Sequence, residues 1–211
     1  GMPFSDPLAD GPVIQNSSQI ALKNGMSLKV LFEQLKDIRK EVSIPLVLMG
    51  YLNPVMQYGI ERFCQQCEKI GVDGIILPDL PLQEYEEEYK NMFEKHNLHN
   101  VFLITPQTHE NRIAMIDEMK SGFIYMVASS STTGARTGIE SLQEDYFNRI
   151  KNMQLKTPRV IGFGISNKKT FQTACQYAHG AIIGSAFIKA LEGEEPLEQK
   201  IDNFIREVKG K

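Results

Sequence analysis

Arg159-Val160-Ile161-Gly162-Phe163-Gly164-Ile165-Ser166 and, further on, Gly180-Ala181-Ile182-Ile183-Gly184-Ser185 are the stretches on which the fold turns. Each is an apolar run of strand length that reaches glycine and leads toward a helical pattern, residues 168–177 after the first and 196–209 after the second. The same unit recurs upstream, with apolar runs at 44–49, 74–77, 101–104 and 123–127. These runs are continuous rather than alternating, as in strands buried on both faces. Amphipathic patterns at 27–42, 60–70, 83–96, 111–120 and 146–152 separate them, with Ser27 and Asn111 placed as N-caps and Gly71 as a C-terminal stop. Strand alternating with helix implies parallel βα units, six of them here. An open doubly wound sheet would gather its chemistry in one or two loops at a switch point. Polar and glycine-rich residues instead follow nearly every strand, at 50–54, 78–81, 105–107, 129–138, 162–166 and 184–185. That distribution favours a barrel, whose loops converge on one mouth.

The composition limits the function classes. The chain has 211 residues, 42% hydrophobic and 23% charged, with a formal net charge of -3. This profile excludes disorder and suits one domain spanning 1–211. No apolar run approaches the ~18 residues of a membrane helix, and no basic-then-apolar leader opens the sequence, so the expected location is the cytoplasm. A sequence pI near 5.9 and the lack of a basic stripe argue against nucleic acid as partner. Three cysteines are too few for a disulfide framework.

Phosphate is the ligand that the last two turns suit best. Glycine lets a backbone approach a ligand closely, and a helix N-terminus offers unpaired N–H groups. Tight packing turns are the other reading of the same glycines. Residues 129–138 (Ser129 to Gly138) form a connection long enough to serve as an active-site lid, or as a plain surface loop. Asp6 and Asp10 lie four apart in a Pro/Gly-framed segment; by spacing alone they read as turn chemistry before acid/base chemistry. Cys64-Gln65-Gln66-Cys67 lacks the further ligands that zinc needs and is read as part of a helix. His96, His99, His109 and His179 have no metal or triad spacing, and Glu84, Glu86, Glu87 and Glu88 read as a solvated helix face.

Pro3-Phe4-Ser5-Asp6-Pro7-Leu8-Ala9-Asp10-Gly11-Pro12-Val13-Ile14-Gln15 closely resembles the signature segment of the tryptophan synthase α subunit family. The resemblance continues in order through residues 48–54, Asp79-Leu80-Pro81, Thr133-Gly134-Ala135, residues 162–166 and Gly184-Ser185-Ala186, covering essentially the whole chain. It implies an eight-stranded (β/α)8 barrel, the TIM-barrel fold, that cleaves indole-3-glycerol phosphate to indole and glyceraldehyde 3-phosphate without a cofactor or metal. By the same resemblance, Asp10 is the catalytic aspartate that meets the indole N–H, displacing the turn reading. Tyr51 and Tyr125 are pocket tyrosines, Ile104 is an apolar wall of the indole slot, and Thr133 is the lid threonine. Gly134, Phe163, Gly164, Gly184 and Ser185 form the phosphate cradle. Asp6 and Asn53 fall in loops facing the β subunit, the partner expected in an α2β2 assembly.

Two departures from the family pattern shape the expectation. The lid reads Ser129-Ser130-Ser131-Thr132 where the family commonly has an Arg followed by Gly-Val. The family's acid/base glutamate stands two residues ahead of the glycine that Gly1 matches, so it is expected to be missing from this chain together with the first strand, first helix and second strand. A complete barrel takes ~250 residues, and 211 reads as a shortfall of roughly 40. The six units then leave open barrel edges at 44–49 and 180–183 that could support self-association. A non-catalytic regulator of the β subunit that keeps the phosphate pocket is the alternative; pull-down with the β subunit, with and without glycerol phosphate, tests it. General acid/base catalysis contributes about 10²–10⁴-fold, so these 211 residues alone are expected to release little or no indole from indole-3-glycerol phosphate. Turnover near that of a full-length α subunit would refute that expectation.

Overall fold

The structure, a computed structural model, describes residues 1–6, 10–128, 136–162 and 164–210, with 136–142 described by backbone alone. The chain parts into two compact units, Gly1–Phe102 and Leu103–Lys211. The first holds α1 (Pro12–Lys23), α2 (Leu28–Leu35), a 3₁₀ turn (Ile38–Lys40), β1 (Val47–Met49), α3 (Leu52–Tyr58), α4 (Ile60–Ile70) and β2 (Gly74–Ile76). It continues through α5 (Leu82–Glu84), a π-helical stretch (Tyr85–Tyr89) and α6 (Lys90–Lys95) into β3 (His99–Ile104), whose last two residues belong to the second unit. There follow α7 (Glu110–Glu118), β4 (Ile124–Val127), α8 (Arg136–Asn152), β5 (Arg159–Gly162), α9 (Lys168–Tyr177), β6 (Gly180–Ile182), α10 (Ser185–Ala190) and α11 (Leu197–Lys209). In the first unit β1 pairs with β2 at Val47↔Gly74, and β2 with β3 at Gly74↔His99. In the second, β4 pairs with β5 at Ile124↔Arg159, and β5 with β6 at Val160↔Gly180. All four ladders are parallel and join strands consecutive in sequence, the pairing that βα units require.

All six strands lie inside or within two residues of the expected runs, but several connections differ. The helix expected over 27–42 is capped as anticipated, Ser27 Oγ accepting from Val30 N at 3.3 Å, yet it ends at Leu35. Arg39 explains the break. Its guanidinium donates to the carbonyls of Gly71, Val42 (3.2 Å) and Ile44 (2.7 Å) and pairs with Asp73, whose carboxylate also accepts Leu46 N at 2.7 Å. The 3₁₀ turn presents Arg39 to these acceptors. Gly71 ends α4 at φ 84° with its N–H on Cys67 and Glu68 carbonyls, as its position suggested. Asn111 does not cap α7; His109 occupies that place.

Three helices stand where loops were expected. α1 starts at Pro12, whose fixed φ and missing N–H suit a first helical position. α3 begins directly after Tyr51, so Asn53 sits in a first helical turn rather than a loop, with Pro54 still early enough to need no N–H. α10 opens at Ser185. α8 also takes in Arg136 to Gly138, which shortens the connection read as a lid; residues 129–135 of that connection lie outside the described residues. The edge of β1 is engaged at its end, because Met2 N donates to Met49 O at 2.7 Å while the buried Met2 side chain covers Gly50.

The core of the first unit includes Val55, Phe63, Ile75, Phe93 and Val101; that of the second includes Ile104, Ile113, Ile124, Met126, Ile150 and Ile161. Cys64 and Cys67 turn inward with the first set, both at 0% exposure. Burial pushes the Cys64 thiol up to about 12 and raises that of Cys67 as well. A thiol must ionise to react, so both are inert at neutral pH, whereas Cys175 is exposed. Thiol titration of the native protein is expected to count one reactive cysteine, and titration in denaturant all three. Rapid modification of two or three in the native state would contradict this placement.

Candidate functional site

The first unit brings Asp10 and Tyr51 together. Asp10 immediately precedes Gly11, the N-cap of α1, and its backbone carbonyl accepts Gln15 Nε2 at 2.8 Å. The Tyr51 hydroxyl, from the residue that caps α3, donates to Asp10 Oδ2 at 3.1 Å. The Tyr51 ring, only 7% exposed, lies with its centroid 5.4 Å from that of Phe4. Asp10 therefore presents a half-buried carboxylate aimed by a buried phenol. Asp6 is exposed and accepts from Ser5 Oγ; Asn53 is exposed on the first turn of α3.

A residue outside the expected set holds this arrangement. Both carboxylate oxygens of Asp79, in the loop after β2, accept Leu52 N, at 2.9 and 3.0 Å. The first amides of a helix have no intrahelical acceptor, so Asp79 satisfies the opening N–H of α3 and pins the backbone next to Tyr51. The sequence shows an aspartate in Pro78-Asp79-Leu80-Pro81, but its partner becomes visible only once α3 is known to begin at Leu52.

The second unit holds Ile104, Tyr125, Gly164, Gly184 and Ser185. Ile104 ends β3 at 0% exposure, and Tyr125 stands in β4 at 4%. The Tyr125 phenol lies directly on Gly162, where any Cβ would overlap its ring and hydroxyl. Gly162 is therefore glycine for steric reasons. Gly164 is glycine for conformational ones, with φ at 77° and nothing among the described residues near the place of a Cβ. Gly184 is the N-cap of α10 and Ser185 its first residue, both exposed, without a side-chain cap. Asn167 and Thr170 close a reciprocal capping box at the start of α9, and Ser166 N donates to Thr170 Oγ1 at 3.0 Å, which holds the segment after Gly164. Thr133, Gly134 and Phe163 lie outside the described residues.

The family profile described as Tryptophan synthase alpha chain matches residues 1–210. The chain belongs to the tryptophan synthase alpha chain family. It is 58% identical over 209 residues to the tryptophan synthase alpha chain of Flavobacterium johnsoniae, covering 99% of this chain and 82% of that protein. Identity to the alpha chain of Phocaeicola vulgatus is 56% over 210 residues, covering 99% and 81%. Among solved structures, a chain of the Pyrococcus furiosus tryptophan synthase complex superposes with TM-score 0.84 at 32% identity, covering 99% of this chain and 84% of its own. The tryptophan synthase subunit alpha of Campylobacter jejuni gives 0.83 at 29% identity, covering 98% and 81%. The six parallel βα units are thus those of a (β/α)8 barrel lineage, and the family's activity is the carbon–carbon lyase reaction on indole-3-glycerol phosphate in tryptophan biosynthesis.

Asp79→Ala removes the side-chain acceptor of Leu52 N. It is expected to cost about 0.5–2 kcal/mol, the range for losing the side-chain acceptor at a helix N-terminus. Asp79→Asn, which keeps an acceptor oxygen, is expected to lose less than half of that. Denaturant melts of the three proteins decide it, and equal stability of Asp79→Ala and the parent would overturn the assignment.

Proposed function

We propose that this chain carries the α-subunit site for cleavage of indole-3-glycerol phosphate, with Asp10 as the residue that meets the indole nitrogen. The reaction breaks the bond between indole C3 and the adjoining glycerol carbon. Proton delivery to C3 places positive charge on the ring nitrogen, and removal of the proton from the glycerol hydroxyl then expels indole and leaves an aldehyde. The ring N–H becomes a stronger donor as that charge develops, so an acceptor carboxylate stabilises the transition state more than the ground state. The observation that carries the reading is the 3.1 Å hydrogen bond from the Tyr51 hydroxyl to Asp10 Oδ2, which fixes one oxygen and directs the carboxylate. Orientation of this kind is what a charge-stabilising group needs before the reaction starts.

The other assignments follow the same reading. Tyr125 and Ile104 bound the indole slot. Gly164, Gly184 and Ser185 receive the phosphate, with Thr133, Gly134 and Phe163 assigned to the lid and cradle by their sequence positions. A glycine at φ 77° and a helix N-terminus are features that phosphate oxygens use. The exposed Asp6 and Asn53 are assigned to the contact with a β subunit in an α2β2 complex. We assign the protein to the cytoplasm; no described helix is long and apolar enough to cross a membrane. The two compact units are read as parts of one partial barrel domain, since the family match runs through both.

Ligand binding tests the role of Asp10 directly. Indole-3-glycerol phosphate and its ring-N-methyl analogue differ in the donor that Asp10 would accept. Hydrogen bonds to charged groups contribute about 1.5–3 kcal/mol, so the parent ligand is expected to bind at least ~10-fold more tightly. Asp10→Ala should abolish that preference. Equal affinities for the unsubstituted protein, or a preference that survives in Asp10→Ala, would overturn the assignment.

A further inference from the structure

Tyr146 and Arg149 stand three residues apart on one face of α8 and have no part in the chemistry above. Both reach back to the loop that leaves β3. The Tyr146 hydroxyl donates to Ile104 O at 3.1 Å, and both residues are buried, at 3% and 0% exposure. Arg149 donates to Pro106 O at 2.9 Å and to Thr108 O at 3.2 Å, and its guanidinium carbon stands 5.7 Å from the Tyr146 ring centroid.

The loop is otherwise held from within. Thr105 N donates to Thr108 Oγ1 at 2.8 Å, Thr108 N to Thr105 O at 3.0 Å and Ile113 N to His109 O at 3.1 Å. The carbonyls of Ile104, Thr105, Pro106, Thr108 and His109 therefore each have a donor, three of the five bonds coming from α8. A cleft of about 540 Å³ lies beside residues 106–111 and Arg149. Gln107, His109 and Glu110 face solvent on that side, so the bonds from Arg149 hold that part of the loop. An apolar residue at 146 could fill the same space, but it would remove the phenol's bond to the strand-end carbonyl of Ile104. A tyrosine reaches that carbonyl and fixes its direction.

We propose that Tyr146 and Arg149 are positioning residues that set the fit of the indole ring, by fixing where Ile104 stands at the end of β3. Neither touches the substrate. The proposal rests on the reading of Ile104 as a wall of the indole slot, and a wall that can yield discriminates poorly between rings of slightly different size. Tyr146 supplies the direct hold on Ile104, and Arg149 holds the next two turns of the loop so that Thr105 and Pro106 cannot draw the strand end away.

The chain contains no tryptophan, so bound indoles can be followed by their own fluorescence. The measurement is the ratio of dissociation constants for 5-methylindole and indole in the parent protein, Tyr146→Phe, Arg149→Met and Ile104→Val. A lowered folded fraction weakens both affinities equally and leaves this ratio unmoved, which separates positioning from a loss of stability. One methyl group against a fitted apolar wall is expected to cost about tenfold. Ile104→Val and Tyr146→Phe should each reduce that discrimination at least threefold, Arg149→Met should shift it in the same direction, and affinity for glycerol phosphate should stay unchanged. A ratio that moves in Ile104→Val but not in Tyr146→Phe overturns the proposal and leaves the slot reading standing. A ratio that ignores Ile104→Val overturns the slot reading, and the proposal with it.

Discussion

A parallel strand that ends hands its last carbonyls and amides to whatever the following loop can supply, and the rest of this structure depends on how that need is met. Buried backbone groups without partners are costly, so each turn must be given donors and acceptors. After β1 the answer is Asp79, from the loop after β2, whose two oxygens take the opening amide of α3. After β3 it is the Thr105–Thr108 pair with Tyr146 and Arg149. After β5 it is the capping box of Asn167 and Thr170. In each case a side chain that satisfies the backbone also fixes a residue assigned to the site: Tyr51, Ile104, or the segment following Gly164. Satisfying the backbone and organising the site are the same act at these loops.

At the strand beginnings the same need is met by groups with no role in the chemistry. Arg39 and Asp73 tie the end of α4 to the entry of β1 through the carbonyls of Gly71, Val42 and Ile44. In the second unit Asp117 accepts Lys156 N at 3.0 Å and Thr157 N at 2.7 Å just before β5. Desolvation pushes the Asp117 carboxyl up, but these amides, the Thr157 hydroxyl and the Lys156 charge outweigh it, and its pKa lies below the ordinary value of 3.8. A depressed carboxylate pKa contributes stability that is fully present above the unfolded value and lost as the pH falls through the folded one. This contribution is therefore intact throughout the neutral range and disappears only in strong acid. The division matches the general rule for barrels, with stability devices at the N-terminal ends of strands and function at the C-terminal ends.

The sequence was most legible where one residue type answers one local need. Gly71 at the end of α4, Ser27 at the start of α2 and Cys64 and Cys67 within a helix could all be placed from spacing. It was least legible where the partner is remote. α3 lies in a stretch of loop composition, and the amide it exposes is answered by an aspartate 27 residues later. Tyr146 reads as one more apolar residue of α8 until its acceptor, 42 residues earlier, is known. Asn111 looked like a cap because Asn is a good one, yet the helix begins two residues earlier, where Ile113 N reaches His109 O. Asp10 shows the limit most clearly. Its Pro/Gly frame describes a turn as readily as a catalytic loop, and only the resemblance to a family, then the hydroxyl of Tyr51, distinguishes the two.

Gly162 shows how one position can combine the demands of fold and site. As the last residue of β5 it must keep the ladder, pairing with Val127 on one side and Ile182 on the other. Its carbonyl accepts Ala128 N at 3.1 Å, so the backbone there is held from the neighbouring strand as well. The missing side chain makes room for the Tyr125 phenol, which would otherwise be displaced from the strand it stands on. An alanine would leave the ladder intact and expel the ring, so the strand tolerates what the site does not. The glycine that suggested a phosphate turn in the sequence thus has a second, purely steric reason to be glycine. Gly164, two residues on, is the one whose backbone conformation demands it. The two glycines of one motif answer to different constraints, one on the ring of a pocket tyrosine and one on the path of the chain around a ligand.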